Sequence, residues 1–576
     1  MGRLDYHRKE LIRGSFYLMT CAFTIMYLSS CASKGAISGG PEDKTPPEVV
    51  ESIPAHLSLN VSADISVEIK FSERMNRSSV EKSIFISPLP EIEPEFKWKG
   101  YKKLRILFQQ PLEPERTYVI NIGSSTSDMH KNRMDNSYSL AFSTGNRIDN
   151  GKITGKVYGK YKANKTFIYA YQMSDSSDFE PDTLLPDYIT QAGKTGEFEL
   201  EYLAFGRYRL FAVEENGSNR KYNLGKDRIS VPVESDVEIS PSDTSGSVFF
   251  FGFSTIDTLR PRALTVFPVD NKHLTFRATE PLVLPGINDS IWTAPIEGGE
   301  KSPALLVYPD AESRSKIHLH FEKMTGDTEY ELYLGALKDS AGYNMDSSSV
   351  FRSFTASSVM DTIPPTLIKT VPGNGAKMVY PGDNIKLMFS EALTPESIAS
   401  SVSIINSDSE AVDYSISSSF PNRWTLSNAR GWDSNEKYTL KISLSSIEDI
   451  YGNTEIDSVR IIRFHTVNKD TFGIISGKVM NNSANESPVY VTAMSVKGKS
   501  RRQTSRAQKD GNFRIGNILP GKYFLNAFRD KDGNGRYTAG LPVPYTRAEP
   551  FFQGTDTVFV RSRWETADHD VVLIGD

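Results

Sequence analysis

The strongest constraint on this chain is that it repeats itself twice, in two different patterns. Pro46, Ser72 and Glu73 recur as Pro364, Ser390 and Glu391, each 318 positions later. Gly196, Phe198, Gly206, Tyr208, Ala212 and Tyr222 recur as Gly511, Phe513, Gly521, Tyr523, Ala527 and Tyr537, each 315 positions later. A register held over that distance is the mark of duplication. A duplicated chain is built from small units that each bury their own core.

The local period says what kind of units these are. Ile65-Ser66-Val67-Glu68-Ile69-Lys70-Phe71 alternates apolar and polar, which suits a half-buried strand. Ser83 to Ser87, Lys103 to Phe108, Thr117 to Ile122 and Ser139 to Ser143 continue the pattern. Thr45-Pro46-Pro47 opens the unit with backbone that cannot be helical. Six or seven short strands in about 100 residues predict a β-sandwich. The same order returns after Thr362-Ile363-Pro364-Pro365, through Ile385 to Leu393 and the turn Asp449-Ile450-Tyr451-Gly452-Asn453. A looser copy runs through Leu274 to Pro281 and Leu337 to Asn344. The second pattern pairs Gly151 to Val157 with Gly473 to Val479 and carries the turns Asp510-Gly511-Asn512-Phe513 and Leu519-Pro520-Gly521-Lys522-Tyr523.

The first pattern, with its Pro-Pro opening, a strand ending Phe-Ser-Glu and an Asp-x-x-Gly-Asn turn, resembles the SbsA-type bacterial Ig-like domain of cell-surface proteins. In the first copy Lys131 stands where that turn has glycine. The second pattern resembles the carboxypeptidase-regulatory and Cna-B families of transthyretin-like sandwiches. The expectation is an all-β chain of tandem β-sandwich domains, three Ig-like and two transthyretin-like. Ig-like domains are expected at 45–146, 257–358 and 361–467, and transthyretin-like domains at 150–256 and 472–576. Short connectors predict a semi-rigid rod, on the order of 150–200 Å for five such domains in line.

Ahead of the first sandwich, residues 1–30 read as a lipoprotein signal peptide and 31–44 as a flexible tether. Arg3, Arg8, Lys9 and Arg13 form a basic start, and Phe16 to Leu28 is apolar but too short for a spanning helix of roughly 20 residues. Leu28-Ser29-Ser30-Cys31 then reads as a lipobox, with Cys31 the lipidation site. The other cysteine, Cys21, falls in the segment that would be removed, so the expected mature chain has no disulfide. The Gly39-Gly40-Pro41 tether resembles those of Bacteroidetes lipoproteins. That resemblance implies a lipid-anchored protein of the cell envelope, with the outer membrane as its address.

Chemistry is sparse by comparison. The net charge of −5 argues against a nucleic-acid partner. The chain carries no nucleophile elbow, phosphate loop or His-Glu-x-x-His helix, and it reads as non-catalytic. One loop, Asp530-Lys531-Asp532-Gly533-Asn534-Gly535-Arg536, spaces oxygen donors as the start of a calcium loop does. Its candidate ligands are Asp530, Asp532, the Asn534 amide and the Arg536 carbonyl. Leu541 stands where an EF-hand needs glutamate, so the alternative is a solvated turn between strands. The pairs Ser72-Glu73 and Ser390-Glu391 read as loop-fixing, and His318 and His320 as a solvent-facing strand edge. Lys497, Lys499, Arg501, Arg502 and Arg506 read as a solvated hairpin. Trp98, Tyr101, Trp424 and Trp432 are the aromatic residues that a sugar-binding platform would use. The expected partners are the membrane, through the lipid, and an envelope protein or glycan.

Overall fold

The computed structural model describes residues 43–575, apart from 91, 174–178, 218, 285–290, 336, 481–486 and 499–500. The lipobox with Cys31, and Lys499 of the basic run, lie outside the described residues. The chain is all-β and folds as tandem β-sandwiches. Among the described residues no helix is long and apolar enough to cross a membrane.

Separate cores form in each of five successive units. In the first, Val67, Ile69, Phe71, Leu104 and Ile106 face Ile120, Ile122, Leu140 and Phe142. One sheet runs in the order Val49–Ile53, Ser66–Phe71, Lys103–Leu107, Glu95–Lys99, and the other Ile84–Ser87, Thr117–Ile122, Tyr138–Ser143. The predicted strand at 83–87 starts at Ile84, because Arg77–Ser83 folds as a helix capped by Asn76. The fourth unit repeats the plan. Leu367–Val371, Ile385–Phe389, Arg423–Ser427 and Ser415–Phe420 make its first sheet, and Pro395–Ser401 is its helix. The third unit sets Ala263–Pro268, His273–Ala278, Lys316–His320 and Leu306–Pro309 side by side.

The second and fifth units share another topology, as their repeat requires. Gly151–Tyr158 pairs antiparallel with Glu197–Leu203 and parallel with Ser245–Phe251. Gly473–Met480 likewise pairs antiparallel with Asn512–Ile518 and parallel with Glu565–Thr566. Gly155 and Gly477 occupy the same place in these strands. A Cβ on Gly155 would sit 1.9 Å from the Val248 carbonyl oxygen, and one on Gly477 2.1 Å from that of His569. Glycine is needed there because a neighbouring backbone lies against it.

The expected semi-rigid rod of five domains in line is not what forms. The second and fifth units pack against each other across nearly 400 residues of chain, through Val233, Ala548 and Phe551 with Tyr158, Phe251 and Tyr537. The Phe251 and Phe551 rings stack at 4.7 Å, and the Gly159 N–H donates to Gln553 Oε1 at 2.7 Å. The third and fourth units also pack directly. Asn422 Nδ2 donates to the Pro309 carbonyl at 3.0 Å, and the Ala392 N–H donates to the Tyr308 hydroxyl at 3.2 Å. Tyr380 and Phe472, with the Arg501–Asp383 ion pair, join the fourth unit to the fifth. The first unit docks on the second through Phe85 and Phe167. The second to fifth units therefore close into a circuit. Apolar side chains left on the outer faces of the sandwiches drive this closure, since covering them removes apolar surface from water.

Candidate functional site

The residues that recur in the Ig-like pattern meet in space. At the end of the strand Ser66–Phe71, Ser72 Oγ accepts the Glu48 N–H at 3.1 Å, and Ser390 Oγ accepts the Thr366 N–H at 2.9 Å. The serines thus fix the Pro-Pro opening to the following strand, as expected for loop-fixing groups. The neighbouring glutamates do something else. Each points to the aspartate of the later turn and to an aspartate just ahead of its own unit. The results are the clusters Asp43–Glu73–Asp128 (joined by His130), Asp257–Glu280–Asp339 and Asp361–Glu391–Asp449. In each, one ligand atom per residue lies within 4.8 Å of the others.

The aspartates of the turns are the buried members. Asp128 Oδ1 accepts the His130 and Asn132 N–H groups at 2.8 and 2.7 Å, and Asp449 Oδ1 those of Tyr451 and Asn453 at 2.7 and 2.9 Å. Their second oxygens accept the Asn132 and Asn453 side-chain amides. Asp339 accepts the Tyr343 N–H at 2.9 Å, but its Oδ2 is buried with no hydrogen-bond partner among the described residues. Burial, and then the neighbouring carboxylates, raise the carboxyl groups of Glu73, Glu280 and Glu391, the last to about 8. Only proximity of the turn and the leading aspartate, which lie far apart in sequence, turns the Ser-Glu pair into a charged site.

Asp530 and Asp532 also come together, and Glu549 joins them. Asp530 Oδ1 accepts the Gly533 and Asn534 N–H groups, and its Oδ2 accepts that of Gly535 at 2.9 Å. Asn534 Oδ1 accepts the Arg536 N–H at 2.6 Å, while Asp532 Oδ2 accepts the Thr538 hydroxyl. Glu549 accepts the Lys531 and Thr538 N–H groups at 2.6 and 2.9 Å. The loop therefore positions Tyr537, which packs edge-on against Phe251 of the second unit at 4.9 Å. Glu549 has no signal in the loop motif, since it arrives from beyond it.

His318 and His320 are not at a solvent-facing edge. They are 5% and 4% exposed. Ile317 and Leu319 fill the core on one face of their strand, and the fourth unit covers the other. Strand pairing sets His273 opposite His320. His273 Nε2 lies 2.9 Å from His318 Nδ1, and His320 Nδ1 lies 2.7 Å from the Tyr451 hydroxyl. Burial holds the His320 imidazolium well below its ordinary range. The proposed aromatic platform does not assemble either. Trp424 and Trp432 are buried in the fourth core, and Trp98 donates to Glu81 at 2.7 Å. Tyr101 lies under Arg74 and Arg77. A different group clusters on the third unit, where Trp292 stacks on Tyr333 at 5.2 Å beside Phe351. Arg501 of the basic run is held at the joint with the fourth unit.

Residues 43–144 and 361–466 match the bacterial Ig-like domain family. The match is confined to these two segments. No curated protein sequence matches the chain. Among solved structures, the N-terminal part of the bacterial S-layer protein SbsC is 9% identical over 36% of this chain and 45% of that one, with a TM-score of 0.16. Domains 1–6 of the surface layer protein SbsC are 11% identical over 85% of this chain and 66% of that one, with a TM-score of 0.16. An L,D-transpeptidase from Mycobacterium smegmatis is 14% identical over 36% of this chain and 90% of that one, with a TM-score of 0.14. The chain spans less than half the length of the first of these. Superpositions this loose assign no function.

Proposed function

We propose that this is a non-catalytic protein of the bacterial cell envelope, lipid-anchored through Cys31, whose Ig-like modules serve adhesion, envelope assembly or ligand binding. The observation that carries this reading is the pair of bacterial Ig-like domains at 43–144 and 361–466, set within a duplicated β-sandwich chain. The duplicated residues favour the same reading, because they go into cores, turns and joints rather than a cleft. Ser72 and Ser390 fix strand openings, and Tyr208 and Tyr523 tie their turns through the Ala204 and Leu519 carbonyls. On this proposal 150–256 and 472–576 are transthyretin-like domains, and their mutual packing makes the envelope module compact rather than linear. Cells grown with a fatty-acid label test the anchor. The full chain is expected to take up label and fractionate with outer membranes, and Cys31→Ser to lose both. A wild-type chain that is unlabelled and soluble would retire the lipid anchor.

A carbohydrate-binding accessory role is favoured only by Trp292, Tyr333 and Phe351. These rings present a half-exposed apolar face, with Lys301 4.2 Å from the Trp292 ring centre. Aromatic faces of this kind stack on flat apolar surfaces. Loss of glycan-array binding in Trp292→Ala would support this role, and an array with no signal for the wild type would exclude it.

A further inference from the structure

The carboxylate clusters carry a reading that the envelope role does not include. We propose that Asp257, Glu280 and Asp339 of the third unit hold a calcium ion.

Three observations lead there. The first is the donor set. In the third and fourth units it consists of carboxylates alone, which suit a hard cation and not zinc or copper. The second is spacing. Two oxygens that share one calcium at about 2.4 Å can be no more than about 4.8 Å apart, and that is the span within which each cluster falls. The third is a deficit. Asp339 is 1% exposed, and its Oδ2 has no donor among the described residues. In the first and fourth units an asparagine amide fills that place, at 2.9 and 2.8 Å. The third unit has one more residue in its turn, Asp339 to Asn344, and no such amide arrives. A buried carboxylate oxygen without a donor is destabilising, and a cation would satisfy it.

Calcium fits better than magnesium. It accepts six to eight oxygens in irregular geometry, and three carboxylates binding through one or both oxygens supply much of that. The placement also has a consequence. Asp257 lies in the connector between the strands Ser245–Phe251 and Ala263–Pro268. Glu280 and Asp339 belong to the sandwich that follows. A shared ion would therefore clamp this connector to the third unit and stiffen the joint.

Calorimetric titration of the chelator-stripped full chain with calcium chloride tests this. The wild type is expected to bind calcium, and Asp339→Asn to bind one ion fewer. Asp532→Asn, in the separate loop of the fifth unit, should leave that ion in place. Glu280→Gln, at a half-buried position, gives the same reading should Asp339→Asn fail to fold. An unchanged ion count in Glu280→Gln, or no calcium uptake by the wild type, overturns the proposal.

Discussion

At the scale of single residues, the sharpest electrostatic statement concerns Glu391. Burial, then Asp361 and Asp449, push its carboxyl from the usual 4.5 up to about 8. An unfolded chain would release that proton near pH 4.5, whereas the folded chain keeps it until about pH 8. Folding therefore favours the protonated form. Its contribution to stability is full below pH 4.5 and is lost as pH rises toward 8. Glu391→Gln holds the group neutral at every pH. In chelator at pH 8 the variant is expected to unfold above the wild type, and near pH 4.5 at the same temperature. A gain on the order of 1 kcal/mol would appear as about 4–8 °C for a domain of this size. Calorimetry at the two pH values checks this, and a variant no more stable at pH 8 would remove the crowding argument.

Between strands and turns, a recurring device holds the first, third and fourth sandwiches closed. The Tyr118 hydroxyl accepts the Glu113 N–H at 2.8 Å, the Tyr330 hydroxyl that of Thr325 at 3.1 Å, and the Tyr438 hydroxyl that of Asp433 at 2.7 Å. Each tyrosine lies on a central strand and reaches back five residues, in the manner of a tyrosine corner. In the fourth unit the ring also meets Trp432 and Phe464 in the core. Tyr438→Phe keeps that packing and removes the acceptor. The expected loss is about 1–3 kcal/mol, because the Asp433 N–H is left without its partner. Urea unfolding of the full chain measures it as a lower midpoint of the transition that reports this unit. An unchanged midpoint would show that water replaces the hydroxyl at no cost. The strands themselves were legible from their alternation, as at Thr117–Ile122, which matches the predicted span. The helix Arg77–Ser83 was not, since about two turns carry too few apolar positions to show a period.

For the molecule as a whole, the decisive contact is the one between the second and fifth units. Phe551 is fully buried there, against Tyr158 and Phe251. Truncating a buried phenylalanine costs about 3–5 kcal/mol, a large share of what an interface of this kind supplies. Phe551→Ala is therefore expected to release the fifth unit while each sandwich stays folded. Small-angle X-ray scattering should show a larger radius of gyration for the variant, with unchanged far-ultraviolet circular dichroism. Identical scattering curves would mean that other contacts, such as Arg209 against Tyr545, suffice to hold the circuit.

Sequence alone determined the all-β class, the strands, and the two repeats with their turn residues. These follow from a two-residue period and from glycine, proline and asparagine chemistry, which act over a few positions. It also placed Asp530 and Asp532 together, because both lie in one loop. Only the tertiary structure decided the rest. His273 meets His318 because strand pairing brings distant segments side by side, and Asp257 in its connector meets Asp339 because the sandwich that follows folds its later turn against that connector. The fold-back of the fifth unit onto the second depends on which sandwich faces remain apolar once each core is filled. Side-chain alternation along a strand tells which residues share a face. It does not tell which face another unit will cover.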